Sequence, residues 1–242
     1  MSEQGPRYAI YYAPDVDDPL WRFGCECIGY DAEAGTDCPA PQSPLISRDE
    51  WLVRTQEPRR YGFHATLKAP FYLAEGRSEA ELIGNLAQFA CERKSVSLVD
   101  LDVRAIGRFA ALTLLEPNQE LQALARDCVT HFDGFRAPIG KGDLARRLAS
   151  PLSERQKELL QAWGYPYVME QFRFHMTLTS SLPDSEIDVI VAELARRYQE
   201  QVGHHHHLIQ GVALFRQETP ESRFRLTHRF SFITGCNSPE LT

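Results

Sequence analysis

No apolar run in the 242 residues reaches the ~18 needed to span a bilayer, so no transmembrane segment is expected. The first residues, MSEQGPRYAIYYAP, have no basic stretch followed by an apolar one. A secretory signal is therefore not expected, and the cytoplasm is the expected compartment. Positive charge is in deficit, with 26 Lys and Arg against 33 Asp and Glu and a net charge of −7. No broad positive field exists to collect a polyanion, so long nucleic acid is not the expected partner, although a small local phosphate site is compatible with this balance. There is no Gly-rich strand-to-helix turn, which disfavours a doubly wound nucleotide-binding fold. The 6 cysteines, Cys25, Cys27, Cys38, Cys91, Cys128 and Cys236, lack metal-ligand spacing; one residue separates Cys25 from Cys27. A chain of this size does not need a disulfide scaffold, so free thiols are expected. No metal and no cofactor are expected, and nothing in the sequence specifies an oligomeric state.

What is present is ordinary globular composition, 43% hydrophobic and 24% charged, enough for one large domain or two intimate halves. Against it stand two stretches, RYGFHATLKAP and QFRFHMTLTSS. Each contains aromatic-His-x-Thr-Leu, with His64 and Thr66 in the first and His175 and Thr177 in the second. Random ordering of this composition gives about 0.04 copies of His-x-Thr-Leu, so two copies require a cause.

Local patterns place the motifs. Arg7 to Ala13 reads as a strand, followed by a short helix capped at Asp17 or Asp18 with Pro19 at its start. Asp31 to Pro44 reads as a loop, and Ser47 to Arg54 as a short helical turn ended by Pro58. The first motif strand is expected from Tyr61 to Tyr72. A helix from Ser78 to Lys94 has a Ser78–Glu81 capping box. Val96–Ile106 and Phe109–Leu115 form an expected hairpin, and a helix follows from Asn118 to about Phe132. After a basic, Gly-containing segment come a helix at Ser153–Trp163, the second motif strand at about Gln171–Ser180, and a long helix at Asp184–Gln201. A hairpin of Leu208–Gln217 with Phe224–Ile233 closes the series. Motif strand, helix, strand, strand thus occurs twice, which predicts an α+β fold with a divergent internal duplication and two antiparallel sheets.

Side chains alternate along a strand. Gly62, His64, Thr66 and Lys68 are predicted on one face, with Phe63, Ala65 and Leu67 on the other. In the second motif Arg173, His175, Thr177 and Thr179 oppose Phe174, Met176 and Leu178. Two such polar faces brought together make a cleft suited to a phosphoryl group. Threonine hydroxyls donate to non-bridging oxygens, Lys68 and Arg173 offset developing charge, and two imidazoles act as base and acid near neutral pH. Tyr61 flanks the first motif as a further candidate substrate contact, beside Arg59 and Arg60. Arg146 and Arg147, in the segment between the halves, are candidates to cover the cleft and hold a second phosphate. Tyr165 and Tyr167 offer rings for stacking. His131 and His228 read as structural, and the internal run His204–His207 is not expected to be a specific metal site.

The paired motifs resemble those of the two-histidine (2H) phosphoesterase superfamily, whose signature is a pair of His-x-Thr/Ser motifs each followed by an apolar residue; HATL and HMTL conform. RYAIYYAP, PRRYGFHATLKAPF, FRAPIGKGDLARR, RQKELLQAWGYPYV, FRFHMTLT and ALFRQE are similar, nearly end to end, to a branch found in bacterial phosphonate-utilisation gene clusters and catalogued as a domain of unknown function. The His204–His207 run departs from that branch. The resemblance implies one bilobal, pseudo-two-fold unit over residues 1–242, with two sheets flanking a central cleft and helices outside. It implies metal-independent cleavage of a small cyclic phosphate or phosphodiester, with His64 and His175 as acid and base and Thr66 and Thr177 on the phosphate. A phosphorylated ribose is the substrate inferred from that setting. Processing of 2′,3′-cyclic phosphate RNA ends and non-catalytic binding of a phosphometabolite are the alternatives.

Overall fold

A computed structural model of the chain describes residues 5–39, 41, 46–149, 151–203 and 206–233; His204, His205 and Cys236 lie outside these. The chain runs through β1 (Arg7–Tyr12), α1 (Pro19–Ile28), the short strands β2 (Tyr30–Asp31) and β3 (Thr36–Asp37), α2 (Arg48–Arg54) and α3 (Gln56–Tyr61). Then come β4 (Ala65–Tyr72), α4 (Glu79–Cys91), β5 (Val96–Leu98), β6 (Leu101–Ile106), β7 (Phe109–Leu114) and α5 (Gln119–His131). The remainder is α6 (Lys141–Leu148), α7 (Glu154–Trp163), β8 (His175–Thr177), α8 (Asp184–Gln201), β9 (His207–Ile209), β10 (Gly211–Gln217) and β11 (Arg225–Ser231). No helix of the described residues is long and apolar enough to cross a membrane.

The fold is α+β with antiparallel pairing throughout. The two expected sheets are the two parts of one seven-stranded sheet, in the order β11-β10-β1-β4-β8-β7-β6. They join at a single residue pair, Ala65 opposite Met176, the central residues of the two His-x-Thr motifs. The duplicated units are interleaved. The first unit's hairpin, β6–β7, pairs with the second unit's motif strand β8, while β10–β11 lies beyond β1 on the β4 side. The helices cross over too: α4 packs on β10 and β11, and α8 on β6 and β7. Each part of the sheet therefore buries apolar surface contributed by both halves of the sequence.

Several boundaries differ from expectation for identifiable reasons. The strand expected over 96–106 breaks at Asp100, a non-glycine residue with φ 55°, so β5 leaves β6 and pairs with β9. The second half breaks at the matching place, between β9 and β10. The second motif strand contracts to His175–Thr177, because a 3-10 turn at Met169–Gln171, with Met169 at φ 55°, occupies the stretch just before it. Pro58 does not end a helix. It lies in the first turn of α3, where its missing N–H would have no intrahelical partner. The loop expected over 31–44 contains the small β2–β3 hairpin, held by Tyr30 opposite Asp37.

Behind the first motif, Phe63 is fully buried against α1. A methyl group at Gly24 would overlap the Phe63 ring, so this helix carries glycine because strand and helix approach closely. Gly24→Ala is expected to lower unfolding free energy by about 1–3 kcal/mol through overpacking, measured by urea denaturation.

Candidate functional site

The helix α3 ends at Tyr61, and Gly62 turns the chain with φ 81°. A Cβ at Gly62 would lie 2.6 Å from that of Ala32, so glycine is required by conformation and by space. The turn aims the Gly62 carbonyl at His64, whose Nδ1–H donates to it at 2.8 Å. In the second motif His175 Nδ1–H donates to the carbonyl of Arg173, also at 2.8 Å. Both acceptors lie two residues before their histidine. A carbonyl only accepts, so in the neutral ring the proton is held on Nδ1 and the lone pair lies on Nε2. His64 Nε2 lies 3.2 Å from the Thr66 hydroxyl, placed to accept its proton.

The Ala65–Met176 pair fixes how these groups meet. Both side chains are buried, so the flanking residues of each motif share the opposite face. Continuing the antiparallel register sets His64 beside Thr177 and Thr66 beside His175. Thr66 and His175 line one cavity of about 670 Å³, within the range of small-molecule sites. Its other walls come from Ala125 and Val129 of α5, Arg108 and Phe109 at the β6–β7 turn, and Tyr165 and Tyr167 before β8. Helices α5 and α7 thus wall the cleft rather than lying wholly outside the sheets.

His64 is wedged against the buried Tyr11 ring, with centroids 3.7 Å apart and planes 19° from parallel. Burial pulls its pKa down to about 4, opposed by the Gly62 hydrogen bond and reinforced by the nearby His175 charge. Burial also lowers His175, the Arg173 carbonyl opposes it, and the Arg173 guanidinium adds to it. Each imidazole is thus neutral at pH 7, and an anion between them would raise both pKa values.

The remaining sequence candidates separate. Arg173 is exposed and lines the cavity. Glu170 is taken by Arg155 at 2.5 Å, and no carboxylate pairs with Arg173 among the described residues. Tyr61 stacks on Phe224 with its ring centroid 6.4 Å from that of His64. Thr177 is half-buried beside His175.

Lys68 is a correction. Thr66 sits opposite Tyr11 but Lys68 opposite Ile10, so β4 carries one extra residue, a bulge at Leu67, which breaks the alternation. Lys68 is only 3% exposed. Its ammonium donates to the Val129 carbonyl at 3.0 Å and lies 3.4 Å from Asp133, at the C-terminal end of α5. Burial, partly offset by Asp133, pulls it down to about 8. Thr179 also leaves the face: it is buried, and its hydroxyl accepts from the Ala110 N–H at 2.9 Å.

Arg59 joins helices by donating to the Ile28 and Leu52 carbonyls at 3.0 Å, and Arg60 reaches the Pro220 carbonyl, so neither enters the cleft. His131 packs between Phe89 and Phe132, and His228 stacks near Phe230. His206 and His207 contact Ser97 and Tyr198 through Nε2 at 2.8 and 3.1 Å. Cys25, Cys27, Cys38, Cys91 and Cys128 are free thiols. Among the described residues no three His, Cys, Asp or Glu are grouped as metal ligands. Tyr11 was not among the sequence candidates; its only signal was the aromatic run in RYAIYYAP.

The family described as "Protein of unknown function (DUF1045)" matches residues 66–225. The chain belongs to the DUF1045 family. This DUF1045 chain is 42% identical over 189 residues to "Ribose 1,5-bisphosphate phosphokinase PhnN" of Janthinobacterium sp. (strain Marseille), covering 78% of the chain and 42% of that protein. It is 34% identical over 220 residues to the protein of the same name in Laribacter hongkongensis (strain HLHK9), covering 91% of the chain and 50% of the relative. It therefore spans half or less of the length of these curated relatives. Crystal structures of E. coli LigT with 3′-AMP and with NADP+ are similar at TM-scores of 0.40 and 0.41 and identities of 16% and 13%. Those alignments cover 94% and 95% of the DUF1045 chain and 98% and 99% of LigT.

Folded His64 takes up its proton near pH 4, whereas an unfolded histidine does so near 6.5. Between these values the unfolded chain binds more protons, so stability falls as pH falls. His64→Gln is expected to remove about 1–3 kcal/mol of that decline between pH 6.5 and 4, measured by urea denaturation at each pH. Lys68→Met is expected to cost about 1–3 kcal/mol of stability while leaving ligand affinity in the cleft unchanged; calorimetric titration with inorganic phosphate checks the second half.

Proposed function

We propose that this chain is a phosphoesterase that cleaves a small cyclic phosphate or phosphodiester, using His64 and His175 as acid and base without a metal. The supporting observation is the matched pair of Nδ1–carbonyl hydrogen bonds, which leaves two Nε2 atoms to serve one shared polar face. One Nε2 takes a proton from water as its oxygen forms a bond to phosphorus. The other, protonated in the complex because the substrate anion raises its pKa, gives a proton to the leaving oxygen as the P–O bond breaks. One water is consumed, a phosphomonoester results, and the two histidines have exchanged protonation states. Thr66 and Thr177 donate to the non-bridging oxygens, and Arg173 offsets their charge. Tyr61 borders the His64 end of the substrate. Residues 1–242 act as one catalytic unit, because each motif strand is completed by strands or helices of the other half.

We assign a phosphorylated ribose as the substrate class, and the 2H superfamily branch of phosphonate-utilisation clusters as the wider grouping. The relatives' name supports this by its ribose bisphosphate. The phosphokinase activity in that name falls, in this reading, to the part of those proteins that the chain does not span. The sequence has no G-x-x-x-x-G-K-[ST] loop to cradle nucleotide phosphates.

The test is turnover of nucleoside 2′,3′-cyclic phosphates by the purified protein in EDTA. His64→Ala and His175→Ala are each expected to lower kcat by about 10²–10⁴-fold. Activity lost in EDTA and restored by a divalent metal would overturn the mechanism, as would full activity in either variant.

A further inference from the structure

Arg146 and Arg147 are adjacent in sequence, yet the structure separates them. Arg146 points outward and pairs with Asp143 at 2.6 Å on the same helix, α6. Arg147 is half-buried, and its guanidinium carbon lies 4.9 Å from the centre of the Tyr165 ring. Its Nε is shut off from solvent with no hydrogen-bond partner, and no carboxylate pairs with it among the described residues. A half-buried guanidinium lacking both acceptor and counter-charge is costly unless a ligand completes it.

Its contact with Tyr165 places it at the wall of the cleft. Tyr165 lines the cavity that holds His175 and Thr66. Burial raises the Tyr165 phenol to about 12 and holds that of Tyr11 well above its ordinary value, and in both the Arg147 charge acts the other way. Tyr11 is the ring stacked on His64, and both phenols also sense Tyr61. Tyr11 and Tyr165 thus both lie within the field of the Arg147 charge. Arg173, which lines that cavity and pairs with no carboxylate among the described residues, adjoins the second histidine. Stacking on Tyr165 holds the planar guanidinium in place, which lowers the entropy lost when it binds an oxyanion in a bidentate manner.

We propose that Arg147 is the anchor for a second, non-reacting phosphate of the substrate, so that the enzyme selects cyclic phosphates that also carry a phosphomonoester. This rests on the two-histidine reading of the same cleft and adds its substrate class. The reacting phosphate lies between the histidines with Arg173, and the phosphomonoester lies against Arg147 with Tyr165 beneath the guanidinium. The Arg146 charge plays no part in this.

The test compares two substrates, adenosine 2′,3′-cyclic phosphate and its 5′-phosphorylated counterpart, in the wild type, Arg147→Gln and Arg146→Gln. Wild type is expected to favour the 5′-phosphorylated substrate in kcat/KM. Arg147→Gln is expected to lower that preference by about 10- to 100-fold, mainly through KM, while barely changing turnover of the unphosphorylated substrate. Arg146→Gln is expected to match wild type. Equal losses on both substrates would place Arg147 at the reacting phosphate and overturn the proposal; no loss on either would make its stacking on Tyr165 merely structural. Calorimetric titration with ribose 5-phosphate provides a readout independent of turnover. Binding that weakens about 10-fold or more in Arg147→Gln supports the anchor even if the phosphoesterase reading fails. Turnover without any 5′-phosphate preference leaves that reading standing and overturns the anchor.

Discussion

A single backbone pairing, Ala65 opposite Met176, carries the site. Among the described residues it is the one registered pair between β4 and β8, and those strands join the two parts of the seven-stranded sheet. A slip of one residue would turn each histidine to the opposite face, into the apolar layer occupied by Phe63, Phe174 and Leu178. The pairing is therefore held from both sides by burial. Met176 is wholly buried, Phe63 is locked against α1, and the crossed packing of α4 and α8 ties each part of the sheet to the other half of the sequence. Polar chemistry at the junction depends on apolar packing behind it.

The same burial sets the electrical state of the site. Imidazoles taken from water favour their neutral form, and the backbone carbonyls fix which nitrogen keeps the proton. In the proposed mechanism, the substrate anion supplies the field that lets one of them hold the second proton. Tyr11 reinforces this by excluding water from one side of His64. The fold spends stability below neutral pH to keep the rings in this condition.

The two motifs repeat but their surroundings do not. Gly62 stands where Arg173 stands in the other copy, and it supplies a turn rather than a charge. Lys68, the nominal counterpart of Thr179, is diverted by the Leu67 bulge to cap α5, and Thr179 is drawn into the backbone pairing of β7. The cations near the cleft without carboxylate partners among the described residues, Arg173 and Arg147, come from different elements. A substrate with two unlike anionic groups fits such asymmetry better than a symmetric one.

The residues themselves determined a good deal. The repeated His-x-Thr-Leu, the strand-helix-strand-strand order and the apolar partners Phe63, Ala65, Phe174 and Met176 follow from periodicity, because alternation along a strand is a property of the backbone. The Ser78–Glu81 capping box and α5 were legible for the same reason: caps and amphipathic stripes are local. What was not legible depends on pairing between distant segments. The bulge that removes Lys68 exists only relative to β1. The break at Asp100 matters because β5 finds β9, more than a hundred residues away. The separation of Arg146 from Arg147 rests on which face of α6 meets Tyr165, and the importance of Tyr11 on a ring 53 positions later in the chain. Sequence thus brought forward the two His-x-Thr motifs, whereas tertiary structure chose which cations accompany them, since charge placement is decided by neighbours that only folding brings together.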